Sequence, residues 1–182
     1  MEGVTYMSYT EIYGFDKKGD AYYYNSVKNA WRGGMAIWQY LEKKYLPPYY
    51  SKYAHIKTSR CFSMDSEAMK DIWRLANNER VSEVDKICLL TTFDNVLVKK
   101  EDMSKVIKAF RSFDGETSLK EQADILEDMT NDDDCIAVGW NQTSVNADTW
   151  KNGGYSEETN EAIPYNCLTQ NKHGWLFHDT FE

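Results

Sequence analysis

Apolar positions along this 182-residue chain change period several times, and each change marks an element. Residues 4–15, "VTYMSYTEIYGF", are rich in β-branched and aromatic residues and predict a strand. "DKKGD" supplies turn residues, and "AYYYN" predicts a second strand, so the chain opens with a hairpin. From Ser26 the period becomes helical: Trp31, Met35, Trp38, Leu41 and Tyr45 recur at three or four residues and predict an inward face. Pro47-Pro48 ends that helix, because neither ring nitrogen can donate the helical hydrogen bond. Gly33-Gly34 within it costs about 1 kcal/mol per residue against alanine, which points to a close neighbour or a kink.

Residues 49–64 read as irregular. Asp65 is placed to cap a helix through "SEAMKDIWRLANN", with Met69, Ile72, Trp73, Leu75 and Ala76 inward. "SEVD" from Ser82 and "SLKE" from Ser118 both have the form of a capping box, each opening a further helix. "NVLV" predicts a strand. Met103, Val106, Ile107 and Phe110 face one side of a helix, as do Leu119, Ala123, Leu126 and Met129 of the next. "CIAVGW" at 135–140 predicts a buried strand, and "WLFHDTF" an edge or closing strand. The expected architecture is a single α+β domain spanning residues 1–182. Its antiparallel sheet joins N- and C-terminal strands, and the helical middle packs on it.

Charge adds a polarity that the apolar pattern hides. Of 29 acids and 21 bases, nine acids and one lysine fall in residues 114–134, which leaves 20 of each elsewhere. Residues 26–60 hold seven cations, Lys28, Arg32, Lys43, Lys44, Lys52, Lys57 and Arg60, against Glu42 alone. No apolar run approaches the roughly 18 residues of a membrane span, so no membrane partner is expected. With no secretion signal either, the expectation is a cytoplasmic protein. Cys61, Cys88, Cys135 and Cys167 are widely spaced, without a CxxC, and read as reduced thiols.

Chemical motifs are sparse. The phosphate-binding and nucleophile-elbow patterns GxxxxGK[ST], GxGxxG and GxSxG are all lacking. Cys167, His173 and His178 lie close in sequence, but an odd offset would put the two histidines on opposite faces of a strand, so no metal is expected. No cofactor is expected either. Two ligand-like stretches remain. "PPYYSKYAHIKTSR" combines Tyr49, Tyr50, Lys52 and Arg60, where rings could stack on a base and cations neutralise phosphate; its other reading is fold. "AVGWNQTSVNADTW" offers Asn141, Thr143, Asn146 and Trp150, uncharged groups suited to a base or ribose, or simply to a turn. If both serve one ligand, Asn141 and Arg60 should border one pocket. Glu127, Asp128, Asp132, Asp133 and Asp134 form either a solvated acidic block or a face that docks on a basic protein.

The stretches "SYTEIYGFDKKG", "NAWRGGMAIWQYLEKKYLPPY", "SLKEQADILEDM" and "AVGWNQTSVNADTW" give the chain its family likeness. It resembles small accessory proteins of bacteriophages and prophages of Gram-positive bacteria, a group with no assigned activity. The resemblance implies binding to host machinery, defence systems included. The resulting expectation is a non-enzymatic binder acting in the host cytoplasm, by blocking a host defence protein or by sequestering a nucleotide-type signalling molecule. The competing expectation is a small hydrolase or nuclease acting on such a nucleotide, with catalysts drawn from His55, His173, His178 and nearby carboxylates.

Overall fold

The computed structural model describes residues 9–28, 34–52, 56–63, 65–142, 149–151 and 156–181. Tyr9–Phe15 (β1) and Ala21–Lys28 (β2) form the expected hairpin. Asp16 closes its turn by accepting from the amides of Lys18 and Asp20 at 2.8 and 3.0 Å. Gly19 takes φ +89°, a left-handed conformation that costs glycine little. A bulge between Ile12 and Tyr13 inserts one extra residue of β2.

The helix predicted from Ser26 begins later, because β2 continues to Lys28. The helix spans Gly34–Tyr45 (α1) and stops before Pro47-Pro48. Its buried line is Gly34, Ile37 and Leu41, with Met35, Trp38 and Tyr45 only partly covered. Trp38 sits at the margin and donates its indole N–H to Thr92 at 2.7 Å. Tyr49–Tyr50 (β3) and Lys57–Thr58 (β4) make a small hairpin in the stretch expected to be irregular.

Asp65 caps Ser66–Trp73 (α2) by accepting from the amide of Glu67. The chain then tightens into a 3-10 turn at Arg74–Asn77, and Trp73 is left exposed rather than inward. Ser82 caps Glu83–Leu90 (α3), its hydroxyl accepting from the amide of Asp85. Val96–Lys99 (β5) leads through a 3-10 turn into Met103–Ser112 (α4), followed by Leu119–Thr130 (α5). At α5 the hydroxyl that accepts from the amide of Leu119 is that of Thr117. Ser118 instead receives a bond from Gln122, so its capping box does not close. All eight inward positions expected for α4 and α5 are buried.

Ala137–Gln142 (β6) and Gly174–Trp175 (β7) complete a five-stranded sheet in the order β2-β1-β6-β5-β7. Every pairing is antiparallel except β5 with β7, which is parallel. The fold is therefore α+β, with a mostly antiparallel sheet from both chain ends and helices from the middle. "WLFHDTF" yields little strand: after Trp175 the amides of His178 and Asp179 both donate to its carbonyl, and the chain turns.

Strand alternation gives the sheet two covered faces. Ile12, Val27, Val96, Val98, Val138 and Trp140 face the helices and share their core. Tyr13, Phe15, Leu97 and Ala137 face the other way, beneath Trp150, Tyr165 and Cys167.

Candidate functional site

The basic–aromatic stretch is built largely into the fold. Arg60 lies in a short 3-10 turn, its side chain 6% exposed. Its Nη1 donates to Glu42 Oε1 and to the carbonyl of Pro47, both at 3.0 Å, and its Nε to Asp71 at 3.3 Å. The guanidinium lies over the Tyr49 ring, 5.2 Å from its centroid. Glu42 also accepts from the Arg60 amide at 2.9 Å and the Ser59 hydroxyl at 2.5 Å. This arrangement clamps the end of α1 to the turn before α2. Lys52 pairs with Asp65 at 2.8 Å, and Tyr49 donates to the same carboxylate. Tyr50 is exposed, as are Ile56 and Phe62. Trp31, Arg32, Tyr53 and His55 lie outside the described residues.

The polar stretch divides at β6. Trp140 points to the helices and donates its indole N–H to Gln122 at 3.0 Å. Trp150 returns on the opposite face and donates to the carbonyl of Trp140 at 2.9 Å, its side chain fully buried. Gly139 makes room for it: a Cβ there would stand 3.0 Å from the Trp150 ring and 2.7 Å from Leu97. Asn141 is 4% exposed and donates to Glu11 at 3.0 Å, a carboxylate that also accepts from the Tyr13 hydroxyl. Among the described residues, its side-chain carbonyl oxygen has no hydrogen-bond partner. Thr143 and Asn146 lie outside the described residues.

Arg60 and Asn141 do not come together. Arg60 lies among α1, α2 and the turn between them, on the helical side of the sheet. Asn141 is on the face shared with Glu11 and Tyr13. Trp150, buried against Phe15 and Tyr165, presents no ring for a ligand to stack on.

The acidic block occupies the outer face of α5 and the turn beyond it. Glu121, Asp124, Glu127 and Asp128 are exposed, as are Asp133 and Asp134. Arg111 on α4 reaches Asp124 at 3.0 Å and Glu127 at 2.6 Å. Asp134 pairs with Lys17 at 3.1 Å. Asp132 is held below the usual carboxylate range, first by the Asp134 amide donating to it and then by the Tyr22 hydroxyl. An open groove of about 620 Å³ runs beside this face, lined by Glu101, Ser104, Lys108, Arg111, Glu127 and Thr130.

The histidines have separate partners. His173 Nδ1 lies 2.7 Å from the Tyr165 hydroxyl, and burial pushes its pKa below the usual imidazole value. His178 Nε2 lies 2.9 Å from Asp102 Oδ2, and Lys105 donates to Asp102 Oδ1 at 2.7 Å. Burial alone would raise the Asp102 pKa, but the bonds from Lys105 and His178 hold it low. One ligand atom each of Glu101, Asp102 and His178 lies within 4.8 Å of the others. No local spacing announces this cluster, since His178 is 76 residues from Asp102. All four cysteines are free, and burial raises every thiol, which disfavours a resting thiolate nucleophile.

Compared with known proteins, the chain matches no family model, no curated protein and no solved structure. Among the described residues, no helix is long and apolar enough to cross a membrane.

Proposed function

We propose that the chain is a non-enzymatic binding protein that counters bacterial host defence, with the α5 acidic face occupying a basic surface of a host immune protein. The observation that carries this reading is the exposed row Glu121, Asp124, Glu127 and Asp128, continued by Asp133 and Asp134. Only Arg111 and Lys17 ion-pair with that row among the described residues. A predominantly acidic surface of this kind raises association rates with an oppositely charged partner and competes with nucleic acid for it. The resemblance to phage accessory proteins supplies the host-defence context and the host cytoplasm as its place of action. Sequestration of a nucleotide ranks second, because its main cation, Arg60, is spent on Glu42, Asp71 and Pro47.

The test uses purified nucleic-acid-dependent defence effectors with a labelled nucleic acid. The protein should displace the nucleic acid, less effectively as salt rises, because exposed charges are screened. Asp128→Lys combined with Asp133→Lys should weaken displacement at least tenfold without lowering the melting temperature. Undiminished displacement by the reversed variant sinks the acidic-face reading. A nucleotide that raises the melting temperature and is recovered intact favours sequestration, and an altered nucleotide favours catalysis.

A further inference from the structure

We propose that Glu101, Asp102 and His178 form a binding site for a first-row divalent cation of the zinc or cobalt type. The apolar pattern that ends β5 and starts α4 puts Glu101 and Asp102 in the 3-10 turn between them. The turn after β7 brings His178 back across this point, so three side chains from two distant segments converge.

The donor set suits such an ion: one imidazole nitrogen and two carboxylates, with sulfur absent. His178 Nε2 and Asp102 Oδ2 stand 2.9 Å apart. Two ligands on a tetrahedral zinc stand about 3.3 Å apart when each bond is about 2.0–2.1 Å. A shift of about half an ångström would therefore admit the ion between atoms already aimed at each other. Glu101 is exposed, so its carboxylate can swing in as the third ligand.

Asp102 is the anchor. Its side chain is 7% exposed, and it stands at the N-cap of α4 without making the usual side-chain bond to that helix. Its carboxylate turns to His178 instead, and Lys105 fixes the second oxygen, as outer partners of metal-ligating carboxylates do. His178 also borders an open cleft of about 570 Å³ that includes Asp94, Asn95, Asp179 and Thr180. With Glu101 and His178 both exposed, the three ligands leave room for water or a small anion to complete the coordination, the feature that separates reactive sites from closed structural ones. Lys105, bonded to Asp102, opposes the charge of the ion. Micromolar affinity is therefore expected rather than the much tighter binding of a closed structural site.

This inference does not rest on the α5 face and stands or falls separately from it. Metal-free full-length protein is titrated with Zn²⁺ by calorimetry and with Co²⁺ by visible absorption, with Mg²⁺ as comparison. One Zn²⁺ per chain is expected, with a Co²⁺ spectrum that Zn²⁺ displaces. Zn²⁺ should also raise the melting temperature, since it binds the folded state. His178→Ala and Asp102→Asn should each weaken Zn²⁺ binding at least tenfold, and Glu101→Gln several-fold. Should either of the first two fail to fold, Glu101→Gln, at an exposed position, still gives a reading. No Zn²⁺ uptake below about 100 μM, which corresponds to a binding free energy of about −5.5 kcal/mol, would mean that His178 and Asp102 are only an ion pair. Equal uptake by all three variants would place the ion elsewhere on the surface. Either result overturns the proposal.

Discussion

Replacing Arg60 by methionine separates a ligand-binding arginine from a structural one. The guanidinium joins Glu42, Asp71 and the Pro47 carbonyl from a position almost wholly out of water. Methionine fills the site with an apolar side chain of similar length but leaves the Glu42 carboxylate, 11% exposed, without its counter-charge. Breaking a buried ion pair from one side costs about 3–5 kcal/mol. Glu42 retains the Ser59 hydroxyl and the amide of residue 60, so the low end, about 3 kcal/mol, is expected. For a chain of this size each kcal/mol moves the melting temperature by about 2–4 °C, giving a drop of roughly 6–12 °C. Circular dichroism melts at pH 7 read the difference. Adding Glu42→Leu to Arg60→Met should recover much of the loss, because the orphaned charge is then gone. A variant that melts within about 2 °C of wild type, a change worth less than about 1 kcal/mol, would refute the clamp. A nucleotide that stabilises wild type but not Arg60→Met would return Arg60 to a ligand site.

Three further perturbations test other parts of the structure. Gly139→Ala puts a methyl against Leu97 and the Trp150 indole, and overpacking of about 1–3 kcal/mol should appear as a lower urea midpoint with unchanged slope; an unaffected midpoint would mean that Trp150 does not lie across β6. Burial alone would raise the Asp85 pKa, but bonds from Lys44 and Tyr45 to its carboxylate hold it below the normal value. A depressed folded pKa stabilises above the unfolded value, near pH 4, and that contribution is lost as pH falls through the folded pKa. The stability gap between wild type and Asp85→Asn should therefore be full at pH 7 and close on acidification, and a gap independent of pH would contradict the network. Burial pushes the Cys167 thiol up to about 11 and raises Cys88 and Cys135 too, so alkylation at pH 8 should be slow in native protein and reach four thiols in urea; fast native labelling at any of these three would show that its site opens.

Legibility varied with how local the determining contacts are. The inward faces of α4 and α5 were readable because each is set by one run of aliphatic side chains at helical spacing. In α1 the same rule misplaced the face by one position. Trp38 and Tyr45 have polar tips that keep them at the margin, so counting them as core kept Leu41 in the expected stripe but turned it away from Gly34 and Ile37. Trp73 was misread because it stands one residue, about 100° around the helix, past Ile72, outside the buried stripe of Ala68, Ile72, Leu75 and Ala76. Whether Arg60 neutralises a ligand or belongs to the fold could not be decided from sequence, because its burial depends on Glu42 and Asp71, which only the folded chain assembles. The 76 residues between Asp102 and His178 put that cluster beyond any local pattern, as does the parallel pairing of β7 with β5.

The two covered faces of the sheet narrow where a partner can dock. Strand β6 shows the constraint within four residues. Val138 and Trp140 are committed to the helices, Gly139 to the Trp150 indole, and Asn141 to Glu11. Neither face of that strand is left for a large ligand, so recognition falls to helix outer faces, turns and sheet edges. Helix α5 buries Leu119, Gln122, Ala123, Ile125, Leu126 and Met129, so apart from Lys120 in its first turn its exposed charges are the acids Glu121, Asp124, Glu127 and Asp128. Glu127 and Asp128 stand in its last turn, where the helix dipole disfavours anions, and Arg111 compensates only the first. A basic partner surface would relieve that repulsion on docking. On this argument the energetic gain from a partner is concentrated at Asp128 and Asp133, which makes their reversal a sharper probe than reversal of the already paired Asp134.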